Sequence, residues 1–571
     1  MNTNANIKSS LLKIHNDPSI SVTDIVPSFE LTDTVNSVEN KDENKQWNFG
    51  ILQLEMKEVP ITKQPIFIEF DVDMSGSMIE TDKHRKSRMQ YVHNTFENMI
   101  RFIASQDIEV YIRVDGFDDT IQSIIKTCRV TVDNMEELVK TIKTMIPRGG
   151  TNIGLALENA NSEIQKYKKE NPTHKLFHIL LTDGAATMGE RDPSRLSREI
   201  CQDYVNIFLG VGSGHNTTML QEFANRKNSE YRFIDNGDNA GMVYGEILQR
   251  ILRPAIEDIK IEMTCGEIYD WKSNTWQTYM TEDVIDSEAT KTYHIRTFTP
   301  NYVEATIYGR VCVCTADANQ GIQELDNVSL IPDLLNEDGT VVDGPCNLAK
   351  YLYRQQTLNF LNICSTFTVN YYYDHDDEEH SRNKEMRTQL AKFFRSMRIY
   401  MRANDLLNDS FMRTLCDDIV VAYKTVGTSA ANMHCTSRNI SQGAQRSCTT
   451  QCDDDMDYFI PPPPILRRQV GRNYNYNNER IDEEDIQYDN DVEKDDDKEE
   501  DKEEDKEIRD AFTFHNFDLG FKPTSKVIPL VEVDEDDINE YIMVSMPKMD
   551  IETAAYITPG RRQMMRAVSG R

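Results

Sequence analysis

The chain has 571 residues, 39% of them hydrophobic, and a formal net charge of −32 at pH 7. That length exceeds what one hydrophobic core organises, so two or three domains are expected, together with solvated acidic segments. The charge argues against nucleic acid or an anionic membrane surface as a partner and favours basic partners, metal ions or plain solubility.

Residues 1 to about 45 are polar and lack sustained periodicity, apart from a candidate short helix at Ile7–Ile14, and are expected to be a disordered segment. Met1–Asn16 has no apolar stretch followed by small residues, so no secretory signal is expected there. From Trp47 to Met56 apolar residues alternate (Trp47, Phe49, Ile51, then Leu52, Leu54, Met56), which predicts a half-buried strand within a 46–64 segment.

From 65 to 253 strands and helices alternate, the pattern of an α/β layer with a mostly parallel, doubly wound sheet. Ile66–Val72 is apolar but for Glu69 and Asp71, as in a strand buried on both faces. Helices are predicted over Ser87–Ala104, Asn134–Met145, Thr151–Tyr167, Thr217–Asn225 and Asn239–Leu252. Ile108–Phe117 and Thr120–Lys126 form a hairpin pair, and Lys175–Leu181, Tyr204–Val211 and Tyr231–Ile234 are further strands.

Between 254 and 345 the alternation at 260–265, 292–298 and 303–314 predicts an antiparallel, sandwich-like β domain. The lone strand at 47–56 is expected to complete it, which makes the α/β layer an insertion between strands. Residues 346–426 read as a small helical bundle, with Leu358, Leu361, Leu390, Phe394 and Met397 on its apolar side. A linker is expected over 427–510, containing Pro461–Pro464 and a run from Ile481 to Asp510 with 18 acidic residues against five basic ones. The last stretch, 511–571, is expected to be partly ordered: Phe521–Val533 and Ile538–Ile551 are apolar enough to dock, and the end is basic.

The chemistry concentrates at the end of the first α/β strand. Asp73-Met74-Ser75-Gly76-Ser77 brings one carboxylate and two hydroxyls to a tight turn, a set of hard oxygen donors suited to Mg²⁺ or Ca²⁺ rather than zinc. Two later segments, Arg148–Gly154 and Ile179–Gly184, contribute Thr151 at the opening of a helix and Asp183 at the end of a strand. In a doubly wound sheet, loops leaving the carboxyl ends of adjacent strands meet at one edge. These three pieces, in this order and spacing, resemble the metal-ion-dependent adhesion site of a von Willebrand factor A (VWA) domain. The resemblance implies that Ser75, Ser77 and Thr151 bind a metal directly or by exchange with water, and that Asp73 and Asp183 act directly or through bridging waters. The implied ion is Mg²⁺, with Mn²⁺ or Ca²⁺ also possible, and the implied partner is a protein offering an Asp or Glu carboxylate.

Other groups are blander. His434-Cys435, Cys448 and Cys452 match no common zinc spacing, and the run His375–His380 lacks the helical two-His spacing of a metalloprotease and reads as a solvated loop. The eleven cysteines, an odd number spread from Cys128 to Cys452, read as reduced thiols, with Cys312 and Cys314 on one strand face. An intracellular, cytoplasmic setting follows, and the absence of an 18-residue apolar run predicts no transmembrane helix. No phosphate-cradling loop or nucleophile elbow is present, so no catalytic residue is expected; a hydrolytic use of the metal would need a base, and Asp71 or Glu80 are nearest in sequence. The expected function is non-catalytic, cation-dependent protein binding. The alternative, suggested by intracellular VWA proteins with a following β-sandwich and helices, is an adaptor or accessory subunit of a ubiquitin ligase or an AAA+ ATPase.

Overall fold

The computed structural model of the chain describes residues 7–13, 48–81, 85–212, 214–234, 237–297, 303–312, 321–330, 349–367, 377–428, 430–447 and 554–569. Two strands, β1 (Ile7–Lys13) and β2 (Asn48–Met56), precede the α/β layer. That layer is built from β3 (Ile66–Asp73), α1 (Arg88–Ser105), β4 (Val110–Phe117), β5 (Ile121–Arg129), α2 (Met135–Ile142), α3 (Ile153–Glu170), β6 (Lys175–Thr182), α4 (Pro193–Leu196), β7 (Val205–Val211), α5 (Thr217–Ala224), β8 (Ser229–Ile234) and α6 (Gly237–Leu252). Its six strands lie in the order β5-β4-β3-β6-β7-β8, with β5 antiparallel to β4 and the other pairs parallel.

All eight residues of β3 are buried, which is why that strand carries so little solvent-facing character. Strand alternation sends Ile66, Ile68, Phe70 and Val72 to one face, where they share a core with Phe96 and Ile100 of α1 and with Ile247 and Leu248 of α6. Phe67, Glu69, Asp71 and Asp73 project to the opposite face, where Phe67 stacks on Tyr167 of α3 at 4.0 Å between ring centroids. Helix α1 begins with a reciprocal cap: Ser87 Oγ accepts from Gln90 N at 3.2 Å, and Gln90 Oε1 accepts from Ser87 N at 2.9 Å. Helix α3 is capped by Asn152, whose Oδ1 accepts from Leu155 N at 3.2 Å.

Beyond α6 come β9 (Pro254–Cys265), β10 (Glu267–Asp270), β11 (Thr275–Gln277), β12 (Tyr279–Asp286), β13 (Thr290–Thr297), β14 (Val303–Val311) and β15 (Gln323–Leu330). They form two antiparallel sheets, β1-β2-β13-β10-β11 and β12-β9-β14-β15. Leu52 and Leu54 of β2 join Ile256, Ile259, Ile261 and Ile295 in the core between these sheets. Strand β2 pairs with β13 from Thr290↔Glu55 to Thr297↔Asn48, so the α/β layer lies in sequence between two adjacent strands of one sheet. Helices α7 (Ala349–Ser365), α8 (Asp377–Ala403), α9 (Ser410–Thr425) and α10 (Ala431–Gly443) follow, with a core of Leu361, Met386, Leu390, Phe394, Leu415 and Ile419. A final helix, α11 (Pro559–Ser569), returns to the α/β layer.

Four expectations are corrected. Ile7–Lys13 is a strand rather than a helix, paired along the open edge of β2 from Ile7↔Met56 to Lys13↔Gly50; the exposed row of β2 hydrogen-bonding groups decides a segment whose pattern suits either form. Residues 431–443 are a helix rather than linker. Its buried side is largely polar, with Arg438 and Gln442 bonded to Asp418 at 2.7 and 2.6 Å, so no apolar period announces it. The long helical stretch after Arg382 breaks at Asp405 (φ 55°) and restarts with Asp409, whose carboxylate accepts from Met412 N at 2.9 Å. Asp377–His380, expected as loop, open α8. Pro461–Pro464, the acidic run 481–510, Phe521–Val533, Ile538–Ile551, Cys314, Cys448 and Cys452 lie outside the described residues.

Candidate metal centre

Strands β3 and β6 are parallel neighbours, so Asp73 at the end of β3 and Asp183 just after β6 emerge at the same sheet edge. Asp73 Oδ1 accepts from Ser75 N at 2.8 Å and its Oδ2 accepts from Thr182 Oγ1 at 2.7 Å, which fixes the carboxylate in the turn. Ser75 Oγ and Ser77 Oγ lie 3.0 Å apart, and Ser77 Oγ donates to Asp183 Oδ1 at 2.7 Å. A Cβ built on Gly184 would stand 3.9 Å from Thr151 Oγ1 and 4.0 Å from Ser77 Oγ, which brings the third loop to the same point. All five sequence-predicted residues therefore converge; Asp73, Ser75, Thr151 and Asp183 are buried and Ser77 is half-buried.

The Thr151 loop is held from below. Gly76 N donates to Gly149 O at 3.1 Å, and Gly149 takes a positive φ of 67° that a side chain would strain. The β4–β5 turn supplies two carboxylates: Asp118 pairs with Arg148 Nε at 2.7 Å, and Asp119 Oδ1 accepts from Gly150 N at 2.9 Å. Asn152 N donates to Asp118 O at 3.1 Å, and Thr151 N to Thr187 Oγ1 at 2.8 Å.

Sequence reasoning missed Arg88. Its guanidinium contacts Asp183 Oδ2 at 2.6 Å and Glu80 Oε2 at 2.8 Å, so a cation is already seated on the one carboxylate oxygen of Asp183 that Ser77 leaves free. The only sequence signal was a base opening the helix that follows the turn. Thr182, which orients Asp73, was likewise hidden at the end of a core strand. Burial pushes the Asp73 carboxyl up to about 6; hydrogen bonds from Thr182 and Ser75 pull it down, and the charge on Asp183 adds to the rise. A buried carboxylate held against its preference to ionise, beside three neutral hydroxyls, fits a small hard cation by donor type. Of the two carboxylates nearest in sequence, Asp71 bonds His178 within the sheet–α3 interface and Glu80 bonds Arg88.

A second acidic group lies deeper. Glu69, Asp71 and Asp115 are fully buried, and one carboxylate oxygen from each falls within 4.8 Å of the others. Among the described residues no helix is long and apolar enough to cross a membrane.

Residues 70–186 match the family model of the von Willebrand factor type A domain. The chain carries a VWA domain. The human inter-alpha-trypsin inhibitor heavy chain H3 is 25% identical over 223 residues, covering 38% of this chain and 24% of that protein. The uncharacterized protein YfbK of Escherichia coli (strain K12) is 23% identical over 199 residues, 34% of this chain and 32% of that protein. The chain thus aligns with about a quarter to a third of the length of these curated relatives. A solved structure of a von Willebrand factor type A protein from Catenulispora acidiphila is 11% identical, covers 74% of this chain and 88% of that one, and superposes with a TM-score of 0.43.

Proposed function

We propose that the VWA domain is a non-catalytic, cation-dependent protein-binding module. Ser75, Ser77 and Thr151 supply neutral oxygens to a divalent ion, and Asp73 and Asp183 supply charge directly or through water. Mg²⁺ fits this donor set, and Mn²⁺ or Ca²⁺ can replace it. An ion with mostly neutral ligands stays electrophilic, and an Asp or Glu carboxylate from a partner protein completes its shell. The observation that carries the reading is the meeting of three separate loops, with Ser77 Oγ bonded to Asp183 at 2.7 Å and Thr151 Oγ1 and Ser77 Oγ both about 4 Å from the Gly184 Cβ position.

The test is affinity capture with the full chain as bait, in Mg²⁺ and in EDTA, comparing wild type with Asp73→Ala. Partners held in Mg²⁺ are expected to be lost in EDTA and with Asp73→Ala. Partners recovered equally from all samples would contradict a metal-bridged contact.

A further inference from the structure

We propose that a second divalent cation binds inside the VWA domain, held by Glu69, Asp71 and Asp115 between the sheet and α3, one layer below the metal centre. The alternation of β3 puts Glu69 and Asp71 on the α3 face, and the register sets Asp71 opposite Asp115 of β4. All three carboxylates have no exposed surface.

The charges can be counted from the hydrogen bonds. Asn206 Nδ2 donates to Cys201 O at 2.8 Å and Tyr204 O at 3.2 Å, so its Oδ1 is the atom facing His178 Nδ1 at 3.0 Å, and Nδ1 carries a proton. The 3.0 Å contact between His178 Nε2 and Asp71 Oδ2 then needs one more proton, on the ring or on the carboxyl. Either way the Asp71–His178 pair is neutral as a unit.

Among the described residues, Arg113 is the one cation paired with the rest. It pairs with Glu69 at 3.3 Å, Asp115 at 3.0 Å and Glu163 of α3 at 3.1 Å, three carboxylates against one guanidinium. Asn159 Nδ2 donates to Asp115 Oδ2 at 2.7 Å but brings no charge. With all three ionised, two negative charges stay uncompensated, and burial with the neighbouring carboxylates pushes the Glu69 carboxyl well up; of the three, Glu163 is the one with access to water, a quarter exposed.

A second observation is independent of that count. Among the described residues, both oxygens of Glu69, Oδ1 of Asp71 and Oδ1 of Asp115 are buried with no hydrogen-bond donor, and Glu69 has its ion pair to Arg113 alone. Buried acceptors of this kind are expensive to leave unmatched. One divalent ion cancels both charges and gives all three carboxylates a partner. Oxygens on opposite sides of such an ion stand about 4 to 5 Å apart, given metal–oxygen distances of about 2.1 to 2.6 Å, and the cluster's oxygens, all within 4.8 Å of one another, lie close enough to share one. A single proton would leave one charge and supply one donor. With oxygen donors alone, the site takes Mg²⁺, Mn²⁺ or Ca²⁺ rather than a thiolate-seeking ion. Full burial makes exchange slow, so the ion enters with folding and is retained.

Retention of Mn²⁺ by the full chain, after refolding in MnCl₂ and dialysis against EDTA, tests this by mass spectrometry of the bound metal. A Ser77→Ala/Asp183→Asn chain, disabled at the outer centre and away from the cluster, is expected to keep about one equivalent per chain. Glu69→Gln/Asp115→Asn in that background is expected to keep less than a tenth. Retention below a tenth in the Ser77→Ala/Asp183→Asn chain, with native circular dichroism, would overturn the proposal and assign the balancing charge to protons. Equal retention after Glu69→Gln/Asp115→Asn would overturn it as well. Neither readout depends on partner capture, so failure here leaves the outer centre to its own test.

Discussion

At the scale of single residues, the proposed metal centre is a small set of oxygens whose charge balance is set by one guanidinium. Arg88 sits on Asp183 at 2.6 Å, so an incoming divalent ion must share that carboxylate with a fixed positive charge. Removing it should relieve repulsion of roughly 1 kcal/mol per unit of ion charge even with the screening of bulk water. Arg88→Ala is therefore expected to tighten Mg²⁺ severalfold in a direct titration; weaker binding would mean that Arg88 chiefly holds the loop in shape. His434 gives a prediction in pH. Burial, together with the charge of Arg438, lowers it from 6.5 to about 3, so the folded chain keeps it neutral while the unfolded chain protonates it below about 6.5. Its contribution is complete above pH 6.5 and is lost as pH falls toward 3, amounting to about 2 kcal/mol by pH 5. Denaturant melts at pH 7 and pH 5 should show His434→Gln losing about 2 kcal/mol less than wild type, the remaining loss coming from His215 and His294, which burial also lowers. The site was readable in the sequence because Asp73, Ser75, Ser77, Thr151 and Asp183 stand at strand ends and a helix opening. Arg88, Thr182 and the Asp118–Asp119 turn were not, because their roles depend on which loops the fold brings together.

At the scale of elements, α11 is the least expected part of the molecule. Gly241 and Gly245, one turn apart on α6, let the two helices touch backbone to backbone: a Cβ at either would come within 2.6 Å of Ser569 Cα or 2.5 Å of Met565 Cα. Met564, Met565 and Val568 complete the core on the α1–α6 face of the sheet. Arg561 fastens the helix: it reaches both oxygens of Asp286 at 2.8 Å and Glu246 at 3.2 Å, nearly out of reach of solvent. Deleting one partner of a buried ion pair typically costs about 3–5 kcal/mol, because the other charges stay behind. Arg561→Ala should lower the unfolding free energy from urea titration by an amount of that order; a value within error of wild type would mean that α11 contributes little to the fold. The sequence displayed a basic end but nothing of its seat, since Gly241 and Gly245 read as ordinary helix-weakening residues until their partner is known.

At the scale of the whole molecule, the α/β layer was the legible part because its strands are locally complete: each apolar run is short, bounded and followed by a helix. In the antiparallel region the alternation gave the strands and the return of the 47–56 strand, but not which strand pairs with which. β2 and β13 meet across more than 230 residues of chain, and β1 becomes a strand because β2 offers it an edge. Helix α10 escaped notice for a related reason, as its burial is bonded through Asp418, Arg438 and Gln442 rather than through apolar side chains. Charge also joins the units: burial alone would raise Glu230 of β8, yet Arg232, Arg250 and Arg446, the last just beyond α10, hold it well below the usual carboxylate range. The central claim, that the edge where Asp73, Ser75, Ser77, Thr151 and Asp183 meet is a divalent-cation site, is tested most directly by isothermal titration of Mg²⁺ into the full chain. Wild type is expected to bind one readily exchanging ion that Asp73→Ala no longer binds. The same isotherm from both chains, or none from wild type, would contradict it.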